Sequence, residues 1–190
     1  MSATNRGIER IHKDQYDTPD WLIQAILPYI MPTNSLYSNF RILEPACGTG
    51  AVVNVIKDYP TLYPIEVDAY DVESRGCGEI RDFITGIFDK KYDLIITNPP
   101  FYLAFEFVTK ALSMRRSTCS TVALLLRLNW LASQGRASWM RENTPSIYIT
   151  PRRPMFRLNK NGKKGSDACE YAWFVWGPYP PIINILKTEK

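Results

Sequence analysis

Hydrophobic and polar positions along the chain form short apolar runs separated by stretches with helical spacing. The apolar runs are typical of strands buried in a sheet. They lie at 40–44, 65–70, 92–97, 121–126, 147–150 and 170–176, with a weaker run at 80–85. Helical spacing predicts helices over 20–30, 51–59, 104–114 and 134–142. Strands that alternate with helices predict an α/β fold, with a mostly parallel sheet in three layers.

The two ends of this pattern carry additional signals. Thr18, Pro19 and Asp20 are typical of a helix start, with a hydroxyl cap followed by proline at the first helical position. Pro28 and Pro32 are expected to limit the length of that helix. Near the other end, residues 151–170 join the last two predicted strands without helical spacing, which predicts an antiparallel C-terminal hairpin.

Length and composition indicate an ordinary globular chain whose charge is unevenly distributed. The chain has 190 residues, of which 45% are hydrophobic and 22% charged, so it can bury a core and is not a disordered chain. Residues 1–100 contain 9 basic and 14 acidic residues, whereas residues 101–190 contain 14 basic and 5 acidic ones. This division favours two different ligands bound by two regions.

Several classes of function are disfavoured by the composition. No apolar run approaches the ~18 residues of a membrane span, and the N-terminal residues lack the apolar core of a signal peptide. The four cysteines form no CxxC pair and His12 is the one histidine, so neither a metal site nor histidine-based catalysis is expected. Scattered thiols suit a reducing cytoplasm.

Residues 44–50, Glu-Pro-Ala-Cys-Gly-Thr-Gly, connect a predicted strand to a predicted helix. Glycine lets the backbone of such a loop approach a ligand closely, and ligands of open α/β sheets bind at the carboxyl ends of strands. The loop lacks both the Gly-Lys-Ser/Thr of a phosphate loop and the GxGxxG dinucleotide pattern. A tight glycine turn without a ligand is the alternative interpretation.

This segment resembles motif I of the class I methyltransferases that use S-adenosylmethionine. The resemblance implies that Glu44 binds near the methionine amino group of the cofactor, directly or through water. It also implies that Ala46, Gly48 and Gly50 line the methionine and ribose parts of S-adenosylmethionine.

Acidic residues after the next two strands extend the resemblance. Asp71 would bind both ribose hydroxyls, because a carboxylate can accept two hydrogen bonds from a vicinal diol; Glu73 competes for this role. Val72 would pack on the adenine ring of the cofactor. Asp82 would accept a hydrogen bond from the adenine amino group, and Phe83 would pack on the ring.

Residues 16–19, Tyr-Asp-Thr-Pro, resemble the motif that precedes motif I in one circular order of these enzymes. Tyr16 and Thr18 would then help to close the site over the methionine carboxylate. This role for Thr18 is compatible with capping of the first helix.

Residues 98–101, Asn-Pro-Pro-Phe, follow a strongly apolar predicted strand, which places Asn98 at the carboxyl edge of the sheet. The run from Tyr92 to Phe101 resembles motif IV of amino-methyltransferases, which is typical of methyl transfer to a planar nitrogen. The resemblance implies that the Asn98 side-chain oxygen and the Pro99 carbonyl accept the two amine protons. Pro99 and Pro100 restrict the backbone, which pre-orients that carbonyl, and Phe101 would stack on the target base.

Residues 152–164 contain a cluster of basic residues that can follow a phosphate backbone. Arg152, Arg153, Lys163 and Lys164 are the candidate contacts to nucleic acid. Phe156 lies where adenine methyltransferases of this motif order carry an aromatic that stacks on the extruded base, so Phe101 and Phe156 would hold the base from two sides. An ordinary solvated loop, and a core position for Phe156, are the alternatives.

The order of the motifs over roughly residues 16–176 resembles that of DNA adenine-N6 methyltransferases in which the cofactor region precedes the catalytic region. The resemblance implies a three-layer Rossmann-like class I methyltransferase fold in a single domain over 1–190, with the basic loop 151–170 contacting DNA. The transferred methyl group would go to the N6 amine of an extruded adenine. These enzymes usually carry a separate recognition domain, so specificity is expected to be low here or supplied by a protein partner.

Three alternatives to DNA methylation stay open at this point. The first is methylation of a base amine in RNA. The second is methylation of a glutamine amide in a protein, which motif IV alone does not distinguish but which the basic loop disfavours. The third is a cofactor-binding subunit without activity, which the intact Asn98–Phe101 motif disfavours.

Overall fold

The computed structural model describes residues 17–33, 37–154, 156–158, 164–165 and 169–187. The α-helices of this part are α1 (Asp20–Ile30), α2 (Ala51–Lys57), α3 (Ala104–Ser113) and α4 (Ala137–Glu142). Its strands are β1 (Phe40–Glu44), β2 (Ile65–Asp71), β3 (Glu79–Ile80), β4 (Leu94–Thr97), β5 (Thr121–Arg127), β6 (Ser146–Ile149), β7 (Arg157–Leu158), β8 (Lys164–Gly165), β9 (Tyr171–Trp176) and β10 (Ile183–Ile185). Within these ranges no helix is long and apolar enough to cross a membrane.

Eight of the strands form one sheet in the order β10-β6-β9-β5-β4-β1-β2-β3. Strand β9 runs antiparallel to β5 and β6, and the other neighbouring strands of this sheet are parallel. Strands β7 and β8 pair with each other outside the sheet. The predicted mostly parallel sheet with an antiparallel C-terminal hairpin is therefore confirmed.

The order of the strands reverses between β1 and β4. From β1 the chain continues to β2 and β3 on one side, whereas β4 is followed by β5 on the other side. Open α/β sheets bind ligands outside the carboxyl ends of the strands at such a reversal. The loops after β1, β2 and β4 therefore meet at the edge where a ligand is expected.

Side chains of the central strands alternate between two apolar cores. Ile42 packs in a core with α1 and α2, whereas its neighbour Leu43 packs in a second core with α3. In the same way Ile96 belongs to the first core and Ile95 to the second. Helices cover both faces of the sheet, which explains why these strands are continuous apolar runs and confirms the three-layer arrangement.

Helix α1 is held by its apolar face and by one buried hydrogen bond. Its buried residues recur at helical spacing, namely Leu22, Ile23, Ile26, Leu27 and Ile30. The indole Nε1 of Trp173 donates to the carbonyl oxygen of Leu22 at 3.0 Å, which links α1 to β9.

One prediction about α1 is wrong. Thr18 does not cap the helix, because Pro19 takes the N-cap position and no side chain caps the first turn. The helix ends at Ile30, as predicted, with Pro28 inside its last turn and Pro32 two residues beyond its end. Proline removes one backbone donor, but the last turn still closes through the Met31 amide, which donates to the carbonyl of Leu27 at 2.9 Å.

The structure also differs from the predicted strands at three places, one of which is the short pair β7–β8 within the predicted loop 151–170. The weak strand 80–85 is only Glu79–Ile80, because Asp82 Oδ1 accepts the backbone amides of Ile84 at 2.7 Å and Thr85 at 3.2 Å and turns the chain. Strand β10 was not predicted, since three residues after a proline-rich stretch carry no clear period. Residues 72–93, all of which are described, contain no helix.

Candidate active site

A cavity of about 450 Å³ opens at the carboxyl edge of the sheet, where the strand order reverses. Its volume lies in the usual range of roughly 300–1,000 Å³ for small-molecule sites. Its walls come mainly from the loops that follow β1, β2, β3 and β4. Nine of the predicted site residues line it: Thr18, Ala46, Gly48, Asp71, Val72, Asp82, Phe83, Asn98 and Pro100.

The glycine loop requires glycine at two positions. Gly48 and Gly50 adopt φ values of +53° and +94°, in the left-handed region that other residues rarely adopt. A Cβ atom on Gly50 would lie 3.0 Å from Sγ of Cys77, and one on Gly48 would lie 3.2 Å from Nη1 of Arg75. Gly48 lines the cavity, whereas Gly50 shapes the turn into α2 from outside the cavity wall.

Two hydrogen bonds tie the glycine loop to strand β2. The backbone amide of Gly48 donates to Asp71 Oδ2 at 2.9 Å, and the amide of Cys47 donates to the carbonyl of Tyr70 at 2.9 Å. Asp71 is buried and lines the cavity, whereas Glu73 does not line it. The geometry therefore favours Asp71 over Glu73 as the acid that faces a ligand.

Glu44 lies behind the loop rather than in the cavity wall. Its side chain is fully buried, and Oε1 accepts the backbone amide of Ala46 at 3.0 Å. Oε2 has no hydrogen-bond partner among the described residues. Burial raises the pKa of Glu44 to about 8, although the Ala46 amide acts in the opposite direction.

The side of the cavity after β3 combines an apolar floor with one carboxylate. Phe83 is 1% exposed and packs on Phe107, with 5.0 Å between ring centroids, while Val72 is half exposed on the wall. Burial tends to raise the pKa of Asp82, but the backbone amides of Thr85 and Ile84 hold it below its ordinary value. An ionised acceptor therefore stands next to an apolar surface to which Val72 and Phe83 contribute.

Asn98 follows β4 and lines the cavity. Its Nδ2 donates to Oγ1 of Thr18 at 3.1 Å, and its Oδ1 is buried without a hydrogen-bond partner among the described residues. A buried acceptor without a partner costs about 1–3 kcal/mol, and such groups occur at functional sites. Pro99 is buried and does not line the cavity.

Phe101 and Phe156 both contact the ring of Tyr171, which is 1% exposed. The ring centroids of Phe101 and Tyr171 are 5.6 Å apart, and those of Phe156 and Tyr171 are 5.1 Å apart. The guanidinium of Arg127 lies over the ring of Phe101 at 4.7 Å. The structure therefore brings the two phenylalanines into one aromatic cluster outside the cavity wall, rather than onto two sides of an open slot.

The basic residues of the 151–170 loop are described only in part. Arg152 is exposed and its guanidinium lies 4.2 Å from the ring centroid of Trp21. Arg153 is exposed and forms an ion pair with Glu170, so its charge is partly compensated. Tyr16 and Lys163 lie outside the described residues, and the side chain of Lys164 does as well.

Comparison with known proteins supports a methyltransferase. No protein-family model matches the chain. Over 107 residues the chain is 31% identical to the type II methyltransferase M.CvrRI of Paramecium bursaria Chlorella virus XZ-6E, an alignment that covers 50% of this chain and 28% of that protein. The chain thus spans little more than a quarter of the length of this relative.

Solved structures share the fold over most of the chain. A protein described as a class I S-adenosylmethionine-dependent methyltransferase of Listeria monocytogenes is similar with a TM-score of 0.61 and 14% identity, covering 89% of this chain and 65% of that one. The methyltransferase subunit of the type I restriction-modification system of Streptococcus thermophilus is similar with a TM-score of 0.65 and 9% identity, covering 90% and 47%. The fold is that of the class I S-adenosylmethionine-dependent methyltransferases. The class I methyltransferase fold expected from the motifs is thereby confirmed.

Sequence reasoning missed several residues at this site, among them Asp17, Arg75, Tyr102 and Arg127. Asp17, Arg75 and Tyr102 line the cavity, and Arg127 stacks on Phe101 at the same edge of the sheet. Asp17 Oδ1 accepts the hydroxyl of Thr49 at 2.8 Å and lies 3.7 Å from Arg75 Nη2. Tyr102 directly follows the Asn-Pro-Pro-Phe motif, which was an available signal, whereas Arg75 lies in a loop without any period.

Proposed function

We propose that this chain is an S-adenosylmethionine-dependent methyltransferase that acts on the exocyclic N6 amine of adenine in DNA. The observation that carries the proposal is the buried, unpartnered Oδ1 of Asn98 beside the cavity. An amine proton is the kind of donor that satisfies such an acceptor. The part of the chain similar to a type II methyltransferase adds support from sequence.

The residues that line the cavity suit S-adenosylmethionine, which carries its methyl group on a cationic sulfonium. Asp71 binds the ribose diol, and Asp82 accepts the adenine amino group above the apolar surface of Val72 and Phe83. The close approach of backbone at Gly48 makes room for the methionine and ribose parts. Glu44 acts from behind the loop through an ordered water, since its side chain does not reach the cavity wall.

Methyl transfer needs an amine whose lone pair is available. Asn98 Oδ1 accepts one amine proton, and the backbone carbonyl of Pro99 accepts the other once the base is bound, although Pro99 does not itself line the cavity. The two acceptors shift the nitrogen toward tetrahedral geometry. The nitrogen then bonds to the methyl carbon, the carbon–sulfur bond breaks with its electron pair on sulfur, and one proton leaves to water. Positioning supplies much of the remaining rate, so the chain needs no histidine base.

Cations and aromatic rings at the carboxyl edge support a nucleic-acid substrate. Arg152 stacks on Trp21 and Arg127 stacks on Phe101, and paired cations and ring faces are typical of nucleic-acid surfaces. The amine of a paired adenine is inaccessible to such a cavity, so the base is extruded. It stacks on the cluster that Phe101 and Phe156 form with Tyr171, rather than between the two phenylalanines. Loop 151–170 contacts the backbone, and a protein partner supplies sequence recognition.

The test is incubation of the purified chain with methyl-labelled S-adenosylmethionine and DNA, RNA or protein in separate reactions. Digestion to nucleosides or amino acids, followed by mass spectrometry, identifies the methylated product. The expected product is N6-methyladenine in DNA, formed by the wild type and not by Asn98→Ala.

Each other outcome removes a defined part of the proposal. Label found only in RNA, or only in glutamine side chains, overturns the DNA substrate and retains the chemistry. Tight binding of S-adenosylmethionine without transfer to any of the three substrates overturns the enzyme and leaves a cofactor-binding subunit.

A further inference from the structure

We infer that Thr18 is a positioning residue that holds the side-chain amide of Asn98 with its oxygen toward the target amine. The inference rests on the proposed function and adds to it, because Thr18 was expected to serve the cofactor and to cap the first helix, and not to act on Asn98. The observation behind it is the 3.1 Å hydrogen bond from Asn98 Nδ2 to Thr18 Oγ1, which joins residues 80 positions apart.

The two ends of an asparagine amide have similar shapes and opposite hydrogen-bonding roles. With Oδ1 toward the target, the amide accepts an amine proton; rotated by half a turn, it would present N–H donors to the N–H groups of the amine. Thr18 engages the nitrogen end, so the oxygen end is the one left for the substrate.

The site around Thr18 makes this bond effective. Thr18 is 5% exposed, so little water competes for the Asn98 amide. The preceding residue is also held, because Asp17 Oδ1 accepts the hydroxyl of Thr49 in the glycine loop at 2.8 Å. The Asp17–Thr18 segment therefore connects the cofactor loop to the catalytic asparagine.

Thr18 has no competing role as a helix cap. The first turn of α1 has no side-chain cap, and the Leu22 amide donates to the carbonyl of Pro19 at 2.9 Å. Removal of the hydroxyl should therefore leave α1 intact and act on Asn98.

The first experiment compares Thr18→Val, which keeps the shape, with Thr18→Ser, which keeps the hydroxyl. Thr18→Val is expected to lower the single-turnover rate of methyl transfer by about 10–100-fold, as misplacement of a catalytic group does, with the Kd of S-adenosylmethionine within about threefold of wild type. Thr18→Ser should recover most of the rate. Thr61→Val is the matched control, because Thr61 donates to the Tyr63 carbonyl at 2.9 Å outside the site.

The second experiment repeats Thr18→Val in the Asn98→Asp background. A carboxylate has two equivalent oxygens, so no hydrogen bond is needed to turn one particular end toward the target amine. The rate loss caused by Thr18→Val should therefore shrink to within about threefold in that background. An equal loss in both backgrounds, together with a matching rise in Kd, would show that Thr18 is a cofactor ligand and would overturn the positioning role.

The third measurement does not depend on activity. The side-chain amide resonances of Asn98, identified by their absence in Asn98→Asp, should shift in Thr18→Val and stay in place in Thr61→Val. Unchanged resonances in Thr18→Val overturn the inference, even if the wild type proves active. An inactive wild type with shifted resonances overturns the proposed function while supporting the contact on which the inference rests.

Discussion

The backbone amide of Gly48 donates a 2.9 Å hydrogen bond to Oδ2 of Asp71. This bond joins the loop after β1 to the carboxyl end of β2, and both residues line the cavity. One carboxylate therefore supports the shape of the glycine loop and also faces the cavity.

Replacement of Asp71 should weaken cofactor binding through both of these effects. Asp71→Asn is expected to raise the Kd of S-adenosylmethionine about 10–100-fold, since a hydrogen bond to a charged group contributes roughly 1.5–3 kcal/mol. Isothermal titration calorimetry measures the change. Glu73→Gln is the matched control and should stay within about twofold of wild type; an equal effect of both variants would contradict the choice of Asp71.

Replacement of Asn98 should separate binding from chemistry. Asn98→Ala removes the acceptor for the target amine and is expected to lower the transfer rate by about 10²–10³-fold or more. The Kd of S-adenosylmethionine should change little, because Asn98 acts on the methyl acceptor. Single-turnover rates and calorimetry give the two quantities.

The control for that variant is Asn39→Ala. Asn39 Nδ2 donates to Glu66 Oε2 at 2.9 Å, just before β1 and therefore at the amino edge of the sheet. The Asn39→Ala variant should leave the transfer rate unchanged. Full activity of Asn98→Ala would show that another group accepts the amine protons.

The buried carboxyl of Glu44 should make stability depend on pH. Its pKa rises from 4.5 when unfolded to about 8 when folded, chiefly through burial. Its contribution is therefore fully present below pH 4.5 and is lost as pH rises through about 8. Urea unfolding should show Glu44→Gln to be less sensitive to pH across this window, with a gain over wild type at pH 8 on the order of a few kcal/mol.

Glu66 supplies a contrast of opposite sign. Hydrogen bonds from Lys90 and Asn39 lower the pKa of Glu66 to about 2. Its contribution is present above pH 4.5 and is lost as pH falls toward 2. Glu66→Gln should therefore alter the free energy of unfolding on the acid side of the pH curve and leave the pH 5–8 window unchanged.

The prediction for Glu44 has its own contradicting outcome. A free energy of unfolding that varies with pH in Glu44→Gln just as it does in wild type would show that Glu44 is ionised in the folded state.

Gly50 and Gly76 have the same φ angle, so substitution of each by alanine separates the cost of backbone strain from the cost of a steric clash. Gly50 and Gly76 both have φ of +94°, but a Cβ at Gly50 would lie 3.0 Å from Cys77 Sγ, whereas nothing lies within 4 Å of one at Gly76. Gly76→Ala should cost roughly 1–2 kcal/mol from backbone strain alone, and Gly50→Ala should cost more. Equal costs in urea unfolding would mean that Cys77 yields without penalty.

Loss of one surface cation should weaken nucleic-acid binding in a salt-dependent way. Arg152→Gln is expected to reduce the slope of log K against log salt by about 1. Arg153→Gln should have a smaller effect, because Glu170 already pairs with that charge. The control is Lys57→Gln, a substitution of an exposed residue at the end of α2. A salt slope equal to wild type in Arg152→Gln would show that the loop is an ordinary solvated surface that does not contact nucleic acid.

Much of the fold and the general position of the site follow from local patterns. Strands such as β4 and β5 are apolar on both faces, which happens only when helices cover both sides of a sheet. Parallel strands end at the same edge, so residues that follow β1, β2 and β4 must converge there. The grouping of Gly48, Asp71 and Asn98 was predictable for this reason.

The roles of individual side chains depend on partners distant in the chain. The sequence favoured Asp71 but left Glu73 as a competitor, and of these two acids it is Asp71 that lines the cavity. Glu44 was placed beside the cofactor by its motif, but packing buries it behind the loop. The pattern of neighbouring residues does not indicate which distant atoms a side chain will contact in the folded protein.

The sequence by itself determined the three-layer α/β fold, the glycine loop and the position of Asn98 after a buried strand, because periodicity and chain order specify these features. Only the tertiary structure decided that Thr18 bonds to Asn98 rather than capping α1, and that Phe101 and Phe156 share Tyr171. Thr18 and Asn98, like Phe101 and Tyr171, are 70 or more residues apart in the sequence, and Phe156 is separated from Tyr171 by a loop. Packing of the whole domain brings these pairs into contact.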